Sequence, residues 1–300
     1  MTLLTKTQLK DYESGEFSDL QQRTWPETRA LIEQFPWSRE REHFAVGLTS
    51  PSITIEGPSG DYLKLALYYH DKFILYYLDT KNHLYVHSMP TIPEAYPIIQ
   101  SFFDDNLDLS GFKRQSTPFT NNKAHFETKD FHYTMRGTFI LPLIGVLSIG
   151  MTAFPFVTIT AAIIKTSSIP IAGYVVLSTL SILFLGGGVL LTSLCINHYR
   201  ASRNKILSLS RGNPLFYYGD INAPAVYDKK DIQKVVQYGG GRSNDRLSRT
   251  QIIFKDGSSI NISGLILPAD KMAVKFPRID IGYKAFGLNY FIPRAFSIPS

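Results

Sequence analysis

The sequence predicts an α+β protein interrupted by a transmembrane α-helical hairpin, and three observations predict it. Lys165 is the one charged residue between Arg136 and Arg200, so Thr138–Ile164 and Thr166–Tyr199 are both free of charge. From Ser52 to Ser88 apolar and polar residues alternate in short runs divided by turn residues. Near the C-terminus, "TQIIFKDGSSINIS" places Asp256-Gly257 between two alternating runs, a strong local signal for a β-hairpin.

Taken in chain order, "TWPETRALIEQFPW" reads as a helix over about Glu27–Phe35, with Pro26 at its start and Pro36 at its stop. The rest of residues 1–45 is polar with scattered apolar positions. "SITIE", "DYLKLALYY", "FILYYLD" and "LYVHS" then form four strands of an antiparallel meander, joined at "GPSG", "HDK" and "TKN". "TIPEAYPIIQSFF" (Thr91–Phe103) supplies a helix to cover that sheet, with Thr91 as N-cap. Residues 1–104 thus make one α+β module, and the polar stretch 105–136 reads as a linker.

Each charge-free run exceeds the roughly 20 apolar residues that cross a ~30 Å hydrocarbon core. Two spans, about 138–164 and 170–198, follow within a hairpin over 137–199. "KTSSIP" is their connecting turn: Lys165 snorkels to the headgroups and Pro170 opens the second helix. Lys123, Lys129 and Arg136 precede the hairpin, Arg200, Arg203, Lys205 and Arg211 follow it, and the turn holds Lys165 alone. In a bacterial inner membrane, that asymmetry would put both flanks in the cytoplasm. The N-terminus "MTLLTKTQLKDYESGEF" has no signal-peptide pattern. The lone Cys195 rules out an intrachain disulfide framework.

Residues 1–136 carry 14 basic and 18 acidic side chains, a net of −4, whereas 199–300 carry 16 and 7, a net of +9. A basic C-terminal region beside an anionic leaflet favours lipid contact, and nothing in it matches a nucleic-acid fingerprint. Arg200, Arg203, Lys205 and Arg211 are the candidate lipid contacts, with Lys229, Lys230, Lys234, Arg242, Arg246 and Arg249 as further surface charge. Gly186, Gly187 and Gly188 let two spans approach closely, within one chain or between copies in a homo-oligomer.

The chain offers little to an enzyme. His83 and His87 have the i, i+4 spacing of helical zinc ligands, but in a strand they stand about 13 Å apart at ~3.3 Å per residue, too far to share a metal. Asp104, Asp105 and Asp108 lie in a polar loop, and "GGGRSND" (239–245) lacks the strand-to-helix context of a phosphate loop. No catalytic, cofactor or metal residue is assigned. Asn261-Ile-Ser263 forms a glycosylation sequon, but in a cytoplasmic strand it would not be used.

The order short strand, "YDKKDIQKVV", glycine-rich loop, "IIFKDGSSINI", "LPADKMAVKF" resembles the bacterial pleckstrin-homology-like (PH-like) domains that follow a two-span membrane hairpin. The resemblance covers roughly 130–280 and implies a PH-like β-domain over 200–300, with a closing helix from Ala269, in a bacterial inner membrane. "PSITIEGPSGDYLKLALYYHDKFILYYLDTKNHLYVHS" with "EAYPIIQSFF" looks like the sheet-plus-helix modules of immunity proteins from bacterial toxin systems. That second likeness implies a tethered, non-catalytic protein that sequesters a membrane-acting toxin. Its candidate contacts are Tyr62, Tyr69, Tyr76, Tyr77 and Tyr85, about half of which must face the module's own core. The competing expectation is a lipid-sensing or scaffold protein whose PH-like domain reads anionic headgroups.

Overall fold

In a computed structural model, residues 1–115, 121–135, 140–165, 171–239, 246–284 and 291–292 are described. They fall into two units, Met1–Phe131 with Ser210–Asn213, and His132–Leu209 with Pro214 onward.

The first unit is built on β1 (Leu3–Gln8), β2 (Ser18–Arg23), β3 (Ser52–Glu56), β4 (Tyr62–Leu67), β5 (Phe73–Leu78), β6 (Leu84–Met89) and β7 (Lys113–Gln115), with α1 (Trp25–Gln34), α2 (Trp37–Glu40) and α3 (Tyr96–Phe103). All neighbours pair antiparallel in the order β2-β1-β3-β4-β5-β6-β7. The expected meander is its β3–β6 portion. The period of two divides its side chains between two buried faces. Ile53, Ile55, Leu63, Leu65 and Leu67 join Ile32, Trp37, Ile99 and Phe103 on the helix-covered face. Tyr62, Ala66, Ile74, Tyr76 and Leu84 gather around Phe126 on the other.

Two expectations for this region change. The N-terminal residues contribute β1 and β2, which the polar composition conceals. The stretch 105–136 does not act as a plain linker: β7 extends the sheet, a 3-10 turn spans Asn122–His125, and Phe126 is fully buried. Apolar burial at this one position anchors the segment to the sheet, as a solvated linker would not be. The helix expected at Glu27–Phe35 begins two residues earlier, where Glu27 accepts from both the N–H and the hydroxyl of Thr24, at 2.7 and 2.8 Å.

The second unit begins with β8 (His132–Thr134), α4 (Ile140–Lys165), α5 (Ile171–Ser202) and β9 (Lys205–Ser208). It continues with β10 (Leu215–Asp220), β11 (Ala223–Asp228), β12 (Ile232–Tyr238), β13 (Arg249–Phe254), β14 (Ser259–Ser263), α6 (Ala269–Ala273) and β15 (Ile281–Lys284). Two four-stranded sheets, β11-β10-β9-β8 and β14-β13-β12-β15, enclose Leu207, Phe216, Val235, Ile252, Ile262 and Phe276. The β13–β14 hairpin turns at Asp256-Gly257 as expected, with Gly257 at φ +85° and Asp256 accepting from the N–H and hydroxyl of Ser258. The short α6 starts at Ala269, also as expected, but β15 then returns parallel to β12, which no local pattern announces.

The main topological finding is the pairing of β8 with β9. His132 lies opposite Ser208 and Thr134 opposite Ile206, antiparallel, with both long helices between them. The β-domain therefore starts before the apolar segment rather than after it at residue 200, and the helices are an excursion out of one of its sheets. Among the described residues, α5 is the one helix long and apolar enough, by length and composition, to cross a membrane; the corresponding apolar stretch of α4, Gly145–Ala161, is shorter. The 32 residues of α5 extend about 48 Å at ~1.5 Å per residue. Away from α4 much of its apolar surface is open, with Val175, Ile182 and Leu183 at 60 %, 73 % and 65 % exposure.

Where α4 and α5 meet, Phe154 and Phe184 pack with ring centroids 5.4 Å apart. Of the three glycines, Gly188 is buried and a Cβ on Gly187 would touch the Met151 methyl at 3.4 Å, whereas Gly186 has open space around it. A methyl at Gly187 would make only an ordinary contact with Met151, so packing of the two helices does not require glycine there.

Candidate functional site

The C-terminal end of α5 does not project as a free stalk; it packs on the β14 edge. Leu194 and Cys195 are buried there, and the fully buried His198 shares a 2.8 Å hydrogen bond between Nδ1 and Ser263 Oγ. Ser202 Oγ donates back to the His198 carbonyl one turn earlier at 2.7 Å, which satisfies the buried hydroxyl. Between this helix end and strands β9, β10 and β14 lies a cleft of about 950 Å³, lined among others by Asn197, Arg200, Lys205, Tyr218, Asn261 and Ile292.

The polar groups of the cleft are held in place by one another. Lys205 Nζ lies 3.0 Å from Asp220, its cross-strand neighbour. Tyr218 donates its hydroxyl to the Asn261 carbonyl at 2.8 Å, and burial pushes its phenol well above the ordinary tyrosine value. Arg249, 6 % exposed, donates Nε to Asn261 Oδ1 at 2.9 Å and lies 4.5 Å from the Tyr238 ring centroid. Burial pulls its guanidinium below the usual arginine value, while Tyr238 acts in the opposite sense. The segment Phe291–Ile292 closes one side: Arg249 Nη1 donates to the Phe291 carbonyl at 2.9 Å, and Asn197 holds the backbone of Ile292 from both directions.

The basic residues expected at a lipid surface separate in this geometry. Arg200 and Lys205 line the cleft, and Arg203 is exposed just beyond the helix. Arg211 does not belong with them: it lies in the first unit, where its guanidinium donates to the Asp11 and Tyr12 carbonyls. Those backbone acceptors use the donors a headgroup would need. The adjoining Gly212 and Asn213 donate their N–H groups to the buried Glu16 carboxylate, at 2.9 Å each. Of the second group, Lys234 pairs with Asp280 at 3.2 Å, Lys229 lies 5.9 Å from the Phe276 ring centroid, and Lys230 donates its N–H to Asp228. Arg246 is part-buried, Arg249 is buried rather than on the surface, and Arg242 and most of the glycine-rich loop lie outside the described residues.

The five tyrosines divide as the alternation requires. Tyr62 and Tyr76 are buried at 4 % and 5 % exposure against Phe126 and its neighbours, which removes them as partner contacts. Tyr77 and Tyr85 are half-buried with ring centroids 6.0 Å apart, and Tyr77 donates to Asp61. Tyr69, at the β4–β5 turn, is 54 % exposed, its ring resting edge-on to Tyr68 at 5.1 Å, and of the five it presents the most open surface. His83 turns to Asp79 and His87 to the Gly111 carbonyl, so each has its own partner.

Two packed four-stranded sheets, closed by a short helix after the β13–β14 hairpin, are the observation that decides the class of this region. Residues 127–275 match the PH domain family. The matched PH-like domain begins ahead of β8, runs through both long helices, and ends just beyond α6. β15 and the Phe291–Ile292 segment lie outside the matched span. No curated protein and no solved structure matches the chain. The expected PH-like domain is therefore present, but the apolar excursion is internal to it. Sequence reasoning missed Asn197, Arg249 and Ile292 as parts of one site, because the partners lie up to 95 positions apart. The one local hint was a polar Asn197 ending a long apolar run.

Proposed function

We propose that this chain is a non-catalytic, membrane-anchored binding protein whose α4–α5 excursion crosses a bacterial inner membrane twice. The first unit and the PH-like domain then lie in the cytoplasm. One observation carries the reading: β8 and β9 pair antiparallel, so the chain leaves and re-enters the same sheet across two long apolar helices. A segment that returns to its starting point can cross a bilayer an even number of times only. The wide apolar exposure of α5 away from α4 suits lipid as its solvent. Anchoring raises the effective concentration of the first unit for any partner arriving at the membrane, which suits sequestration of a membrane-acting toxin.

In a Cys195→Ser background, a cysteine replacing Ser167 is expected to react with an impermeant maleimide added to intact cells. One replacing Ser258 in the β13–β14 turn should react only after permeabilisation. Equal labelling of both in intact cells, or of neither after permeabilisation, would rule the topology out.

A second reading has its own observation. Arg200 and Lys205 open onto the cleft at the end of α5, where the interface with an anionic leaflet would fall on this topology. The PH-like domain would then sense headgroups, and exchanging neutral for anionic lipid around the reconstituted protein should change labelling at position 200 when a cysteine replaces Arg200.

A further inference from the structure

One side of the cleft at the end of α5 is supplied by the chain's own Phe291–Ile292, and the way that segment is held specifies a ligand class. Asn197 Nδ2 donates to the Ile292 carbonyl at 3.1 Å, while the Ile292 N–H donates to Asn197 Oδ1 at 2.8 Å. One amide side chain thus reads both the backbone donor and the backbone acceptor of a single residue, Ile292. Arg249 reads the preceding carbonyl, that of Phe291, at 2.9 Å. Ile292 itself is 7 % exposed, so its side chain is lodged rather than laid on a surface. Residue 293 is proline, which biases Ile292 towards extended backbone and lowers the entropy lost on docking.

We infer that this cleft is a peptide-binding site, recognising two consecutive backbone units of an extended strand with an apolar side chain, and that Phe291–Ile292 is a built-in competitor for it. The hydrogen-bond pattern argues against an anion as the cognate ligand. A phosphodiester group would accept from Arg249 and Asn197 Nδ2, but it has no hydrogen to offer Asn197 Oδ1, which would then lose its partner in a part-buried place. A peptide satisfies all three groups, and because they read backbone the site is tolerant of sequence apart from the apolar residue. This assignment stands whether or not the helices cross a bilayer, so it fails or survives separately from the topology above.

The test uses the full chain in neutral maltoside micelles and a fluorescein-labelled peptide of residues 287–297. Ile292→Asp should release the internal competitor, which supplies one wall of the cleft, while leaving Asn197 and Arg249 in place, and peptide affinity is expected to rise at least tenfold over the unmutated chain. Adding Asn197→Ala should remove about tenfold of that affinity, the scale of the hydrogen bonds lost. In the unmutated chain, excess unlabelled peptide should speed hydrogen exchange at the Ile292 amide, a measurement that requires no variant. Equal, weak peptide binding by both chains together with unchanged exchange would overturn the inference. So would displacement of the segment by phosphatidylglycerol micelles or inorganic phosphate, but not by peptide.

Discussion

Lys64→Met is expected to destabilise the first unit by about 3 kcal/mol, although it replaces a charge with an apolar chain of similar length at a site with no solvent exposure. The Lys64 ammonium donates to Gln8 Oε1 at 3.0 Å, to the Leu48 carbonyl at 2.7 Å and to the His125 carbonyl at 2.9 Å. Three acceptors require three N–H donors, which only the charged form supplies. Methionine would leave all three oxygens short of a donor, while relieving the cost of the buried charge; the first effect is the larger. Burial, and after it the positive Lys6, pull the Lys64 pKa well below the usual lysine value. Between that lowered value and about 10.5 the unfolded chain binds the proton more tightly than the folded one, so stability rises as pH rises through the window. His125 is lowered from about 6.5 by burial and then by Lys64, so stability should also fall as pH drops below that value. Removing Lys64 removes part of His125's depression and should make the acid loss shallower. The chain has 2 tryptophans, Trp25 and Trp37, both in the first unit, so urea titration followed by tryptophan fluorescence reads this unit within the whole protein. An unchanged midpoint for Lys64→Met would refute the assignment.

Phe126→Ala should cost more, about 3–5 kcal/mol, the range for emptying a buried aromatic site. Phe126 has no exposed surface, lies 5.8 Å from the Tyr62 ring centroid, and carries the Lys64 ammonium 5.1 Å from its own centroid. Its loss would create a cavity and weaken a cation–π contact that helps hold the buried lysine. Tyr69→Ala is the control: with 54 % of its surface open, it should change stability by no more than about 0.5 kcal/mol. If the two variants unfold at the same urea concentration, the packing of the 121–131 segment on the sheet is wrong.

What could be read from the sequence followed from how regularly side chains alternate. β3 to β6 have clean apolar alternation and marked turns, and the Asp256-Gly257 hairpin announces itself. β1 escapes notice because Thr5, Lys6 and Gln8 are polar yet buried at 0–1 % exposure, so its pattern resembles a solvated strand or loop. Phe126 is a single apolar residue among polar ones, and β8 is three residues long, beneath the reach of any periodicity. At the site, Arg200 and Lys205 could be named because they end an apolar run. Position in the chain groups Arg211 with them, whereas its neighbours in space are the Asp11 and Tyr12 carbonyls. The grip of Asn197 on Ile292 depends on a tertiary contact with no local signature.

The β8–β9 ladder also constrains how the molecule can be made. Thr134 and Ile206 face each other although the ribosome delivers them 72 positions apart. During synthesis β8 must wait, unpaired, while both greasy helices emerge and find their place. Closure of so distant a contact is slow, and an unpaired edge invites aggregation meanwhile. On the proposed topology, membrane insertion comes before completion of the sheet, so a chain that fails to insert would also fail to finish its soluble domain. Quality control would then meet one defective species instead of two.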